Sequence, residues 1–217
     1  MREGLTGKTI DACDEARARA AERRALRRRL VAARRALAAT EVERLSQAVC
    51  AQFEREFPEL AKLAIGFYWP VQNEADLRPL IKRWLARGDP GFSALLPVVV
   101  ARETPLVFRK WTPQAALALD ACGILAPAEG SSVPPQALLI PVNGFDAAGY
   151  RLGYGGGYFD RTLAALATHA AKPLAIGVGF ELARVASIHP EAHDIKLDAI
   201  VTEAGVFRCG RRPGESD

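Results

Sequence analysis

Apolar and polar positions change rhythm along this chain near Pro58. Between 16 and 39, alanine, leucine and arginine recur without a glycine or proline, a composition that favours one long helix. Leu26, Leu30, Ala33 and Leu37 fall three and four apart, which predicts an apolar stripe with arginines over the remaining surface. Thr40-Glu41-Val42-Glu43 has the form of a capping box. A second helix is therefore predicted from Glu41 through Leu45, Val49 and Phe53, ending before Pro58.

Beyond Pro58 short apolar runs take over. Residues 62–69, 94–101, 105–111, 137–142, 174–180 and 198–203 read as strands; 75–88, closed by Gly88, 113–121 and 158–171 read as helices. Strands alternate with helices, and several strands are apolar on both faces. That combination predicts an α/β fold in which helices cover a mostly parallel sheet. No internal repeat or linker interrupts the pattern. The predicted organisation is a single α/β domain over 16–207, a disordered lead-in over 1–15 and a flexible tail over 208–217.

The charge balance adds one feature. The net charge is +4 over 217 residues, but arginines crowd the segment from Arg17 to Arg35 against a single acid, Glu22. One segment is basic rather than the whole protein. Four cysteines lie far apart, and the three histidines have no metal-ligand spacing with them, so a structural zinc site is not expected. Scattered cysteines fit a reducing compartment. No run approaches a membrane span, and no apolar signal core opens the chain. A cytoplasmic protein without membrane contact is expected.

Chemistry concentrates in RLGYGGGYFDR (151–161), four glycines within five residues framed by Arg151 and Asp160. It lies between a predicted strand and a predicted helix, where open α/β sheets bind ligands. Glycines let backbone amides approach an anion, and a helix N-terminus adds positive potential. Arg151 could supply a fork of donors to phosphate oxygens, and Asp160 could hold the magnesium ion that accompanies a nucleotide. The stretch is neither a P-loop nor a dinucleotide fingerprint, since Tyr158 occupies the last glycine place. A purely structural turn, with Arg151 and Asp160 paired at the surface, is the competing reading.

FDAAGYRLGYGGGYFDR (145–161) strongly resembles the signature of the 5-formyltetrahydrofolate cyclo-ligase family. RRALRRRLVAARRAL (23–37), FYWPVQNEADLRPLI (67–81) and HPEAHDIKLDAIVTE (189–203) resemble its basic first helix, its Glu-bearing turn and its C-terminal His-Asp segment, in order. The resemblance implies a three-layer sandwich like the sugar-phosphate isomerase and coenzyme A transferase group, with 16–207 as the catalytic domain. It also implies ATP- and Mg2+-dependent cyclisation of 5-formyltetrahydrofolate to 5,10-methenyltetrahydrofolate through a phosphorylated formyl group.

The implied ATP site comprises Arg23, Arg24, Arg27, Arg151, Leu152, Gly153, Tyr154, Gly155, Gly156, Gly157, Tyr158 and Phe159, with Arg151 as the catalytic charge. The implied folate site comprises Trp69, Glu74, Gly155, Gly156, Gly157 and Tyr158. Asp160 and Asp194 are the implied magnesium ligands, Arg34 is a weaker nucleotide candidate, and Phe67, Tyr68 and Trp111 are candidate pocket walls. Some members carry a lysine where this chain has Gly156. Arg151→Ala is expected to lower turnover and leave the fold intact, and changes at Arg23 and Arg27 are expected to leave stability nearly unaltered. A monomer that binds no nucleic acid is expected. The alternatives are a sugar-phosphate isomerase-like enzyme, which needs the anion loop but no ATP, and an RNA-binding module built on the basic helix.

Overall fold

The computed structural model describes residues 6–168 and 172–209, with side chains described from Asp14 onward. Helix α1 runs Thr6–Arg35 and α2 runs Ala39–Glu56. The helix therefore starts ahead of Ala16. Residues 1–5 of the expected lead-in and residues 210–217 of the expected tail lie outside the described residues. Arg208, placed in the tail by the sequence, closes a strand instead.

No capping box forms before α2. Its N-cap is the extended residue Ala38, without a side-chain hydrogen bond, so Thr40 lies inside the first turn. The end of α1 is satisfied from elsewhere: Asn73 Nδ2 donates toward the carbonyls of Arg34, Arg35 and Leu37 at 3.4, 3.2 and 3.2 Å. Carbonyls at and just past a helix C-terminus lack intrahelical donors; that of Arg34 also takes the Leu37 amide at 3.2 Å.

Strands β1 (Ala64–Gly66), β2 (Ser93–Val98) and β3 (Val107–Lys110) form one side of the main sheet. Helix α3 (Arg78–Arg87) joins β1 to β2 and stops at Gly88, whose φ of 68° is the left-handed C-cap that glycine supplies. The hairpin of β4 (Leu117–Leu119) and β5 (Leu125–Pro127) follows. Then come β6 (Ala137–Pro141), the short pair β7 (Gly144–Phe145) and β8 (Arg151–Leu152), and helix α4 (Tyr158–Leu166). Strands β9 (Leu174–Val178), β10 (Ala199–Thr202) and β11 (Gly205–Arg208) complete the chain.

The main sheet has seven strands in the order β11-β10-β9-β6-β1-β2-β3. Its five inner strands pair in parallel, while β3 and β11 close the edges antiparallel. Side-chain alternation divides the core into two layers. Ala94, Leu96, Ala137, Leu139, Ile176 and Val201 meet α2 and α3 through Val49, Phe53, Leu80 and Trp84. Leu95, Leu138, Ile140, Ala175 and Ile200 turn to the opposite face and meet Leu163 of α4. Helices on both faces of a mostly parallel sheet make the three-layer α/β arrangement that the apolar strands predicted.

Residues 113–121, predicted as a helix, form instead a turn that leads into β4 and the first half of the β4–β5 hairpin. Asp120 decides it: Oδ1 accepts the amides of Cys122 and Ile124 at 2.8 and 3.0 Å, and Oδ2 accepts that of Val99 at 3.1 Å. An aspartate that caps a turn this way competes with helix formation.

Candidate functional site

In an open parallel sheet the carboxyl ends of the strands face a crevice, and here the ends of β1 and β6 meet α1 and the glycine loop. Helix α1 turns Arg23, Leu30 and Arg34 inward, with Arg27 half-buried, at spacings of four, three and four. The predicted stripe was rotated: Ala33 is exposed and Leu26 and Leu37 are only half-covered. Arginines therefore hold this helix. Arg23 Nη1 donates to Asp194 Oδ2 and to the His189 carbonyl, both at 2.7 Å, and Nη2 to Asp194 Oδ1 at 3.1 Å. Arg27 Nε donates to the Gly153 carbonyl at 2.6 Å. Burial, then the neighbouring Arg23 and Arg24, lower the Arg27 pKa from its ordinary value. Arg24 is exposed on the outer face of the helix.

The loop from Gly153 to Gly157 leads into α4. Gly155 and Gly157 have φ of 97° and 63°, a region where a Cβ is strained. A Cβ on Gly155 would also lie 3.5 Å from the Arg27 guanidinium. Arg27 takes the Gly153 carbonyl, and Arg161 Nη2 takes that of Gly156. No amide from Gly153 to Tyr158 donates a hydrogen bond among the described residues, so this run of donors at a helix N-terminus can receive an anion. Leu152 is fully buried, and Phe159 packs, partly buried, against the core layer that holds Leu163. The Tyr158 ring lies 5.4 Å from the Arg161 guanidinium, and Cys122 Sγ donates to its hydroxyl at 3.6 Å.

Arg151 is not an open loop arginine. It is 5% exposed; Nη1 donates to the Ile195 carbonyl at 2.9 Å and Nη2 to Asp160 Oδ1 at 2.7 Å. Burial lowers its pKa, and the charge of Asp160 opposes that shift. The two residues do pair, as the competing reading of the loop had it, but inside the protein. Asp160 Oδ1 also accepts the Ile195 amide at 3.1 Å, whereas Oδ2 carries no hydrogen bond among the described residues and 21% of the side chain is exposed. Both oxygens of Asp194 are engaged: beyond its two bonds with Arg23, Oδ2 accepts the Glu191 amide at 2.7 Å. Its carboxylate has little left for a metal ion.

Glu74 and Arg34 meet across the crevice. Glu74 is buried, Oε2 accepts the Val71 amide at 2.9 Å, and Oε1 accepts the Tyr154 hydroxyl at 2.7 Å. Arg34 Nη2 donates to that hydroxyl at 2.7 Å, Nη1 to Asn143 Oδ1 at 2.8 Å and Nε to the Gln72 carbonyl at 3.0 Å. Burial raises the Glu74 carboxyl above 4.5; the Val71 and Tyr154 hydrogen bonds and the charge of Arg34 pull the other way. Asn143 Nδ2 is buried without a partner among the described residues. Beside this network lies a groove of about 310 Å³ lined by Arg27, Arg28, Val31, Arg35, Gln72 and Tyr154.

The structure brings Arg34, Asn143 and Gln72 into the network around Glu74 and Tyr154; Asn143 and Gln72 were not among the sequence candidates. Arg34 follows Arg27 by seven residues, two helical turns, and that spacing was the available signal. Of the aromatic candidates, Phe67, Tyr68 and Trp111 are buried in the core. The Tyr68 hydroxyl donates to the Ala75 carbonyl at 2.7 Å. Trp69 is partly exposed, with the Arg78 guanidinium 4.7 Å from its ring centre.

The chain is similar to known proteins over most of its length. The model of the 5-formyltetrahydrofolate cyclo-ligase family matches residues 19–203. A curated relative, 5-formyltetrahydrofolate cyclo-ligase from Escherichia coli strain K12, is 29% identical over 181 residues, covering 80% of this chain and 96% of that one. The relative of the same name from Mycoplasma pneumoniae is 25% identical over 186 residues, covering 84% and 99%. Among solved structures, 5,10-methenyltetrahydrofolate synthetase from Aquifex aeolicus superposes with a TM-score of 0.73 at 29% identity, over 90% of this chain and 96% of that one.

Proposed function

The chain belongs to the 5-formyltetrahydrofolate cyclo-ligase family and is an enzyme of that class, and from this premise we propose that it cyclises 5-formyltetrahydrofolate to 5,10-methenyltetrahydrofolate, with ATP and Mg2+, as a monomer. The formyl oxygen attacks the γ-phosphorus and the bond to ADP breaks. Nitrogen-10 of the folate then adds to the activated carbon and gives up its proton to solvent, and the carbon–oxygen bond breaks as phosphate leaves. Such a reaction needs positioning and neutralisation of charge more than a protein nucleophile.

The residues divide accordingly. The amides of Gly153 to Tyr158, with the Arg27 guanidinium beside them, receive the phosphates. Glu74 accepts hydrogen bonds from the donor-rich amino-pyrimidine end of the folate. Asp160 retains a carboxylate oxygen for a metal ion, and magnesium is commonly bound by one or two carboxylates together with phosphate oxygens; Asp194 does not fit that task. When bound there, magnesium neutralises charge on the phosphates. Arg151 acts through Asp160, which it holds in place, and Arg23 acts by fixing α1 to the Asp194 segment. Both are positioning residues on this reading.

The observation that supports this most is the placing of Glu74 and a glycine loop with unengaged amides on either side of one tyrosine hydroxyl. Purified protein supplied with 5-formyltetrahydrofolate, ATP and Mg2+ should develop the absorbance of the methenyl product, and omission of either ATP or Mg2+ should abolish it. Absence of product in the complete mixture, with the protein folded, overturns the assignment.

A further inference from the structure

Tyr154 belongs to the glycine loop by sequence, yet its hydroxyl is bound on the other side of the crevice. It donates to Glu74 Oε1 and accepts from Arg34 Nη2, both at 2.7 Å. Its ring remains open: the residue is 45% exposed while its two partners are buried. A phenol kept at a partly solvated loop tip by one buried carboxylate and one buried guanidinium is oriented by them rather than by packing. Charge-assisted bonds of this kind are short and comparatively strong.

The three residues reach separate elements. Arg34 stands on α1 and also fastens Asn143, just past β6, and Gln72. Glu74 is held by the Val71 amide in the segment after β1. Tyr154 lies between Gly153 and Gly155; the loop backbone is otherwise held at its carbonyls, Gly153 by Arg27 and Gly156 by Arg161, while its amides carry no partner among the described residues. Whatever fixes the carboxylate of Glu74 therefore also fixes the tyrosine, and through it the amides on either side.

We infer that Tyr154 is a positioning residue that couples the two ligand sites, its hydroxyl making the order of the glycine loop depend on the state of Glu74. The inference rests on the assignment of Glu74 to the folate and of the loop amides to the nucleotide. A donor group of the folate that approaches Glu74 shares the carboxylate with Tyr154, because an ionised carboxylate has about four acceptor positions and two are occupied here. The arriving ligand pins Glu74, Glu74 pins Tyr154, and the loop presents its amides already arranged. Each ligand then binds more tightly in the presence of the other, by the same factor in both directions.

The test is the dissociation constant of 5-formyltetrahydrofolate, measured by calorimetry with and without a non-hydrolysable ATP analogue and Mg2+. The wild-type protein should bind the folate about fivefold or more tightly when the analogue is present. Tyr154→Phe keeps the ring and removes the hydroxyl; each ligand should still bind alone, and the ratio should fall to near unity. Hydrogen exchange at the amides of 153–157 supplies a second measurement: folate alone should protect them in the wild type and not in Tyr154→Phe. Retained coupling in the variant, or no coupling in the wild type, overturns the inference while leaving the proposed function standing. Failure of the wild type to bind either ligand overturns the proposed function itself.

Discussion

At Arg151 burial and charge act together, and the consequence differs from what an arginine beside a flexible loop suggests. Its guanidinium is tied to Asp160 and to the Ile195 carbonyl, so Arg151→Ala leaves Asp160 without its counter-charge. Breaking a buried pair from one side costs about 3 kcal/mol, at the low end because Asp160 is partly exposed. Chemical denaturation should show that loss together with a fall in turnover, whereas an open loop arginine would affect turnover alone. Glu74 gives a pH signature. Burial raises its carboxyl above 4.5, so the folded protein holds this proton more tightly than the unfolded chain does. Below 4.5 both states are protonated and the group has no effect. As pH rises from there through the raised value, the unfolded chain ionises first and stability is lost. Glu74→Gln removes this term, so the stability difference between wild type and variant should change over that window, as read from urea midpoints across pH. Folate affinity should rise over the same window in the wild type, as the carboxylate forms, and stay flat in the variant.

At the scale of elements, α1 separates two arginines that the sequence treats alike. Arg23 is buried against Asp194 and the His189 carbonyl, whereas Arg27 is half-buried beside the glycine loop. Arg23→Ala should lower stability by about 3 kcal/mol, because Asp194 is left without its partner. That replaces the expectation of unaltered stability. Arg27→Ala should leave the denaturation midpoint nearly unchanged and raise the ATP concentration needed for half-maximal rate. The two single variants, measured by denaturation and by ATP dependence, distinguish these outcomes; equal loss of stability in both overturns the division. The helix itself was legible because alanine and leucine favour it wherever it packs, but its inward face was not. Periodicity assigns burial to leucines, while here buried arginines find carbonyls and carboxylates contributed from 188 to 194 and from 142 to 154, which no local pattern contains. The hairpin at 117–127 was missed for a related reason. Ala115, Ala116 and Leu117 carry helix propensity, but the three amides gathered by Asp120 outweigh it.

For the whole molecule, the parallel sheet was readable from strands apolar on both faces, and so was the location of the glycine loop between a strand and a helix. Strand order and the antiparallel edges were not: β3 and β11 carry charge at Arg109, Lys110 and Arg208 where the inner strands carry none, but charge marks an edge without setting its direction, and β11 was not read as a strand. The fold brings together residues as far apart as Arg34, Glu74 and Tyr154 because each follows or crosses the carboxyl end of a central strand. Among the described residues, the helix that closes this assembly contributes one buried apolar side chain, Leu30, alongside the buried Arg23 and Arg34. Its attachment consists largely of guanidinium groups resting on carbonyl and carboxylate oxygens. The choice of denaturant therefore matters. Guanidinium chloride supplies the same cation at molar concentration and screens charge over a few ångströms, so it should release α1 before the sheet melts. Urea carries no charge and should release helix and sheet together. Two transitions in the first solvent and one in the second, followed by hydrogen exchange in α1 and β6, is the expected record; coincident loss of both elements in guanidinium chloride would mean that α1 is held by packing after all.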